Sequence, residues 1–106
     1  MKKLLVISSC HPDNWEEEQK RGWDIVEYIP FPDVPFDETE FKELGFKLGI
    51  LIDKENDQLG EKILNISMQG EFSLCMRVYH LMRMSGLEWW VAIQDKENHF
   101  LKWRKI

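Results

Sequence analysis

The chain has 106 residues, of which 43% are hydrophobic and 31% are charged. This length allows one hydrophobic core, so we expect a single domain over residues 1–106. The composition is typical of a soluble globular protein, and no apolar run is long enough to span a bilayer. The formal net charge of −5 argues against a protein that wraps duplex nucleic acid, because such binding depends on phosphate neutralisation by Lys and Arg.

Two further features bear on location and on metal binding. The N-terminal residues MKKLLVISSC resemble the start of a signal peptide, but the apolar stretch before Ser8 is only four residues long and no small-residue cleavage site follows. We therefore predict a cytoplasmic protein. Cys10 and Cys75 are too few for a disulfide framework and match no zinc pattern, and the three histidines lack metal-ligand spacing. The sequence predicts neither a metal site nor a cofactor.

The first strand and helix are predicted from hydrophobicity and capping signals. Residues 2–9 contain a continuous apolar run that is typical of a parallel strand buried on both faces. A helix is predicted to begin at Asp13 or Asn14 and to end at Gly22. If Asp13 is the cap, Glu16 occupies the capping-box position.

The next pair of elements is an alternating strand and a longer helix. Residues 24–29 alternate and are rich in β-branched and aromatic residues, which predicts a half-covered strand near an edge of the sheet. Asp37 is the predicted cap of the second helix, and Phe36 and Phe41 occupy the positions of a hydrophobic staple. The polar residues 54–62 are expected to terminate this helix.

The second half of the chain predicts a strand, a helix and two final strands. Residues 63–68 form the predicted third strand. Residues 72–85 carry apolar side chains over most of a helical surface, which indicates a helix covered on more than one side. Gly86 ends that helix. Residues 88–94 and 99–104 are predicted strands, paired as a hairpin across a turn-rich segment.

The element order βαβαβαββ predicts a compact α/β fold. It is a Rossmann-like or flavodoxin-like three-layer sandwich with a mainly parallel sheet, helices on both faces and a C-terminal antiparallel strand. In such sheets ligands bind outside the carboxyl ends of the strands, where neighbouring crossovers leave in opposite directions. The loops over residues 8–14 and 69–73 are predicted to lie beside each other at that edge.

The loop after the third strand predicts an anion site at a helix N-terminus. Gly70 would permit positive φ and the close approach of a ligand or another backbone. Free amides near Phe72 and Ser73 would face a phosphate, and Gln69 or Ser73 would hydrogen-bond a phosphate, a ribose or a base edge. Glu71 would repel a phosphate, so it is expected to accept from a hydroxyl or amino group, or to stabilise the first helical turn.

The loop after the first strand supplies two hydroxyls, an imidazole, an amide and an aromatic ring: Ser8, Ser9, His11, Asn14 and Trp15. These groups suit a nucleotide, with hydrogen bonds for phosphate and sugar and a ring for base stacking. They also suit a structural role, as a tight strand exit, a His-Pro turn and a core Trp. Neither loop contains the dinucleotide fingerprint or the Walker phosphate loop. The prediction of a site therefore depends on where the two loops lie in the fold and not on a sequence motif.

Three motifs, in consistent order along the chain, resemble a group of small CRISPR-associated proteins. They are SSCHPDNWEEEQ after the first strand, DIVEYIPFPDVPFD around the second, and MQGEFSL at the start of the third helix. Cys10 stands where that group has Asn. The wider set that these proteins resemble includes the Rossmann-like (CARF-type) sensors and ring nucleases of type III CRISPR systems, which are small dimers. The resemblance implies a cyclic oligoadenylate, or a related small nucleotide, held across a homodimer at the strand ends.

Three functions follow as hypotheses. A ring nuclease would open the ligand without a metal, by attack of a ribose 2′-hydroxyl on the adjacent phosphorus. His11 or Glu71 would then move protons, while the helix amides and loop serines would stabilise charge on the phosphate. The alternatives are a non-catalytic sensor or sponge for the same messenger, and an interaction subunit with a contact surface formed by Trp89, Trp90 and Trp103.

Overall fold

The computed structural model describes residues 2–59 and 64–106. In these ranges the strands are β1 (Lys3–Ser8), β2 (Ile25–Pro30), β3 (Asn65–Gln69), β4 (Glu88–Gln94) and β5 (Phe100–Lys105), and the α-helices are α1 (Glu17–Lys20), α2 (Glu38–Gln58) and α3 (Phe72–Met82). The sheet order is β2-β1-β3-β4-β5, parallel except for the antiparallel β4–β5 pair. This confirms the predicted fold class, and the order is the flavodoxin-like one.

Helices cover both faces of the sheet, as predicted. Successive residues of a strand point to opposite faces. Trp89 of β4 contacts Tyr79 of α3 with ring centroids 5.2 Å apart, whereas Trp90 contacts Trp23, shortly after α1, at 5.6 Å. Helix α1 therefore lies on one face, and α3, which packs against α2, lies on the other. Within the described ranges, no helix has both the length and the apolarity to cross a bilayer.

The main core lies between the sheet and the layer formed by α2 and α3. Its buried side chains come from both helices, from β1, β3 and β4, and from the residue directly before β3: Leu5, Ile7, Leu48, Ile52, Leu64, Ile66, Leu74, Val78, Met82 and Trp89. β1 is buried along most of its length, as its apolar run predicts. Removal of this apolar area from water is the principal stabilising term of the fold.

Helix α2 begins where it is predicted to begin. The Asp37 carboxylate accepts a hydrogen bond from the Glu40 amide at 2.9 Å, so Asp37 is the cap. The predicted staple is wrong, because Phe36 is fully exposed and does not pack on Phe41.

The end of α2 lies further along the chain than predicted. The helix continues through Gln58, although residues 54–62 are expected to end it. Lys, Glu and Gln are good helix formers, and Glu55 forms an ion pair with Lys3 of β1 at 3.4 Å. The predicted third strand starts at residue 63, which lies outside the described residues.

The segment between β1 and β2 departs most from the prediction. The single helix from Asp13 or Asn14 to Gly22 is wrong: a 3-10 helix over Pro12–Asn14 is followed by the four-residue α1. The predicted cap is also wrong. The Asp13 amide donates to Nδ1 of His11 at 3.0 Å, so His11 caps the 3-10 helix.

Contacts with the C-terminal hairpin explain the interruption. The Glu16 carboxylate accepts from the Phe100 amide and lies 3.3 Å from Nδ1 of His99, so it serves the hairpin and forms no capping box. The Trp15 ring packs edge-on against Trp103 at 5.5 Å. These contacts hold Trp15 and Glu16 in extended backbone between the two short helices.

Candidate functional site

The two predicted loops lie side by side at the carboxyl edge of the sheet. β1 and β3 are parallel neighbours with Ser8 opposite Gln69, and the Ser9 amide donates to the Gln69 carbonyl at 3.4 Å. Because the crossovers that follow β1 and β3 lie on opposite faces, this is the position where sheets of this type bind ligands. The predicted proximity of the loops is confirmed.

A cavity of 310 Å³ opens at this edge beside Gln69. Its lining comes from the loop after β1, from α1, from the end of β3 and from the β4–β5 turn: Cys10, Asn14, Trp15, Glu16, Gln19, Gln69, Gln94, Glu97, Asn98 and His99. We term it the edge cavity. Half of these residues carry side-chain amides, each of which offers a donor and an acceptor.

The charge of the edge cavity disfavours an anion inside it. No Lys or Arg is among its lining residues, whereas Glu16 and Glu97 are. The Phe100 amide and the His99 imidazole hold the pKa of Glu16 below its usual range, so this carboxylate is ionised at neutral pH. A neutral polar group fits these surroundings better than a phosphate.

The other face of the same edge is filled by Phe31. A Cβ on Gly70 would lie 2.5 Å from the Phe31 ring. Gly70 does not adopt positive φ, which among the described glycines occurs at Gly22 and Gly86. The missing side chain of Gly70 therefore makes room for an aromatic ring of the protein, and the predicted positive φ at Gly70 is wrong. The predicted approach of a ligand to Gly70 stays a prediction.

Glu71 occupies the N-terminus of α3 with its own carboxylate. It accepts from the Ser73 amide at 3.1 Å, from the Leu74 amide at 2.8 Å and from the Ser73 hydroxyl at 2.6 Å. The prediction of a free Ser73 amide for a phosphate is wrong, because a carboxylate already holds it. The alternative, that Glu71 stabilises the first helical turn, is confirmed.

Glu71→Ala is expected to lower the melting temperature by a few degrees at neutral pH, because the α3 amides lose their acceptor. The Ser73 hydroxyl, followed by the Leu74 and Ser73 amides, lowers the pKa of Glu71 below its ordinary value of 4.5. The stabilisation is therefore present above pH 4.5 and is lost as the pH falls through the lowered pKa. Thermal unfolding at several pH values measures it. Glu43→Ala, which removes an exposed carboxylate on α2, is the matched control. An equal effect of both changes would contradict the capping role of Glu71.

Other predicted residues lie apart from the edge cavity. Ser8 is buried, and its hydroxyl accepts from the Cys10 amide at 3.0 Å, which makes it part of the turn. His11 packs on Tyr28 with ring centroids 4.5 Å apart and lines a separate cavity. Phe72 is exposed and lines a groove beside α3.

The predicted site residues therefore line different cavities in the structure. Asn14, Trp15 and Gln69 line the edge cavity together. His11 and Glu71, the predicted proton-transfer residues, line two different cavities, and neither lines the edge cavity.

The three tryptophans of the predicted contact surface do not share one face of the sheet, because Trp89 packs on Tyr79 of α3 whereas Trp90 and Trp103 pack on Trp23. Trp89 is buried in the core. Nε1 of Trp90 donates to Oδ1 of Asn65 at 3.0 Å, and Nε1 of Trp103 donates to the Gln19 carbonyl at 2.9 Å. The indole N–H groups of Trp90 and Trp103 are thus bonded within the protein, and the three rings do not form one contact surface.

The sequence pattern does not reveal the part of the edge cavity that the β4–β5 turn provides. Its residues are Gln94, Glu97, Asn98 and His99. A signal was present, because β4 is parallel to β3 and its carboxyl end must fall at the same edge. The Asp95 carboxylate accepts from the Glu97 and His99 amides and so shapes the turn.

Comparison with protein-family models, with curated proteins and with solved structures finds no match. Among the described residues, no group of three or more His, Cys, Asp and Glu side chains could hold a metal ion. The geometry of the edge cavity is therefore the basis for a functional proposal.

Proposed function

We propose that the edge cavity binds a nucleoside of a cyclic oligoadenylate without cleaving it. One observation carries this function: the amides of Asn14, Gln69 and Gln94, from three separate elements, line one cavity with the Trp15 ring. Asn and Gln amides pair with adenine through one donor and one acceptor, and aromatic rings stack on bases. The resemblance of SSCHPDNWEEEQ and MQGEFSL to CRISPR-associated proteins supports the same ligand class.

The ligand's phosphates would lie outside the edge cavity, away from Glu16 and Glu97. The exposed side of the loop after β1 offers the Ser9 hydroxyl and the His11 imidazole. Nδ1 of His11 accepts from the Asp13 amide, so the neutral ring carries its proton on Nε2. That N–H is a donor for a phosphate oxygen.

Binding alone fits the arrangement better than ring opening. Cleavage needs a proton acceptor and a donor aligned on one phosphate. His11 and Glu71 line separate cavities, and the Glu71 carboxylate is held by Ser73 and Leu74. The lowered pKa of Glu71 also makes it a weak base. We therefore favour a sensor or sponge over a ring nuclease.

We also propose that two copies share one cyclic ligand. A volume of 310 Å³ is at the lower end of the range for small-molecule sites and suits one nucleoside better than a ring of several. A ring of repeated nucleosides presents equivalent groups to a second copy related by a two-fold axis. In this arrangement the copies meet through the ligand at the carboxyl edge.

Calorimetric titration with cyclic tetra-adenylate and cyclic hexa-adenylate, in EDTA, tests the function. The wild-type chain is expected to bind at least one of them. Asn14→Ala and Gln69→Ala should each weaken that binding by about fivefold, since each removes hydrogen bonds to the base. Gln58→Ala, which truncates an exposed amide at the end of α2, is the matched control and should leave the affinity unchanged.

Chromatography of the same mixtures separates the alternatives. Linear products ending in a 2′,3′-cyclic phosphate would establish cleavage in place of simple binding. If neither ring produces binding heat or a thermal shift, the nucleotide function is contradicted altogether. One ligand per two chains is expected, and a ratio of one to one would contradict the shared ligand.

A further inference from the structure

The face of the sheet that carries α3 is incompletely covered. β5 follows β4 directly, so within the described residues no helix lies beyond α3 on this face. Apolar side chains stay exposed there: Phe72 is 76% exposed, Met76 50% and Ile106 67%. Sheets of this type normally bury both faces under helices. Within the part of the chain that the structure describes, no helix occupies the position beside α3 on this face.

A groove of 430 Å³ occupies this position between α3 and β4, and we term it the α3 groove. Its floor and walls are apolar and are formed chiefly by Phe72, Met76, Tyr79, Trp89, Val91 and Ile106. No Asp, Glu, Lys or Arg is among its lining residues. A partner that enters it must present an apolar surface.

Cations border the α3 groove on two sides. Arg104 pairs with Val91 across the β4–β5 ladder, and Lys102 is the partner of Ile93, so both lie on the face that forms the groove floor. Arg83, the C-cap of α3, follows Tyr79 by one helical turn, and its guanidinium donates to the His80 carbonyl at 2.9 Å. Among the described residues, none of the three cations forms an ion pair.

We propose that the α3 groove docks an amphipathic helix with acidic flanks from another protein. Apolar side chains at helical spacing would cover Trp89 and Val91, as in other helix-in-groove complexes. Glu or Asp side chains beside that stripe would face Lys102 and Arg104 on one flank and Arg83 near the end of α3. The apolar groove accounts for the contact area, and the cations account for the choice of partner.

A second copy of this chain is less complementary to the groove. A two-fold axis that passes near β5 on this face would bring the Arg104 and Lys102 side chains of both copies together, and like charges repel. The exposed apolar pair on α2, Phe46 and Ile50, does not solve this, because cations outnumber carboxylates around Phe46: Lys42, Lys47 and Arg77 against Glu43. The two copies proposed to share a nucleotide meet at the carboxyl edge and leave the groove open.

A pair of designed peptides tests the proposal on the full chain. The probe is a fluorescein-labelled amphipathic helix about four turns long, with Leu at i, i+3, i+4 and i+7 and Glu on the flanks. The matched control peptide carries Lys in place of every Glu. Fluorescence anisotropy should show that the Glu peptide binds about tenfold more tightly than the Lys peptide.

Variants locate the binding surface. Met76→Ser should abolish binding of the Glu peptide, and the double change Lys102→Glu with Arg104→Glu should reverse the preference between the peptides. Lys96→Glu changes an exposed lysine in the β4–β5 turn and should preserve the preference for the Glu peptide. Circular dichroism establishes that each variant is folded. If Met76→Ser is unfolded, Val91→Ser provides the same test on a strand.

Three results would overturn the proposal. The first is equal affinity for the two peptides, including no binding of either. The second is an unchanged preference in the Lys102 and Arg104 double variant. The third is a ligand-free homodimer, seen by analytical ultracentrifugation, that Met76→Glu dissociates, because a second copy would then fill the groove. None of these results depends on whether the edge cavity binds a nucleotide.

Discussion

Gly70→Ala is expected to lower the free energy of unfolding by about 1–3 kcal/mol, although residue 70 is at the surface. The new Cβ would lie 2.5 Å from Cδ2 of Phe31 and 2.6 Å from Cε2 and Cγ. The Phe31 ring is packed against the main core, so it cannot move away without losing apolar contacts. Urea unfolding of the variant and the wild-type chain measures the loss.

A double-mutant cycle identifies the cause. In a Phe31→Ala background the same Gly70→Ala change should cost much less, because the clashing ring is gone. Gly49→Ala in α2 is the matched control: its Cβ would meet the flexible Met82 thioether at 3.3 Å, and the better helix propensity of Ala offsets that contact. Equal costs of Gly70→Ala in both backgrounds would show that Phe31 is not the reason for the glycine.

The parts of the fold that could be predicted are those in which local pattern and burial agree. The apolar run of β1 reflects burial on both faces, and the Asp37 cap of α2 uses a carboxylate and an amide only three residues apart. Pairing of β4 with β5 follows from two alternating segments joined by a short turn. In each case the determinants are close together in the sequence.

The segment around α1 could not be predicted for the opposite reason. The Glu16 carboxylate bonds the Phe100 amide, and Trp103 donates to the Gln19 carbonyl, each across 84 positions of the chain. The local capping signal at Asp13 points to a continuous helix. Tertiary contacts override that signal, and no pattern within residues 11–22 reports them.

The sequence predicts where the candidate site lies but only some of the residues that line it. The sequence predicts Asn14 and Gln69 at the carboxyl edge, because topology dictates where parallel strands end. The occupant of the α3 N-terminus was harder to predict, since the same amides bind a phosphate or a nearby carboxylate. Glu71 is two residues from Ser73, so the intramolecular acceptor has little entropy to lose and takes the position.

Trp103→Ala is expected to have the largest effect of any single change considered, because Trp103 connects the fold to the edge cavity. Its ring packs on Trp15 at 5.5 Å and on Trp23 at 5.9 Å, and its Nε1 donates to the Gln19 carbonyl. A loss of about 3 kcal/mol is expected for truncation of a packed Trp. Trp15 and Gln19 line the edge cavity, so binding of the cyclic oligoadenylate that the wild-type chain binds should also fall, by more than in Asn14→Ala.

Two further variants separate packing from hydrogen bonding. Trp103→Phe keeps an aromatic ring and loses only the N–H donor, so it should cost about 1 kcal/mol and retain binding. Phe36→Ala removes a fully exposed ring and should change neither property. Urea unfolding and calorimetry, at a temperature where all variants are folded, compare them. If Trp103→Ala loses stability but binds the ligand like the wild-type chain, α1 does not depend on Trp103 for its position, and the cavity must be held by the Glu16 contacts with the hairpin.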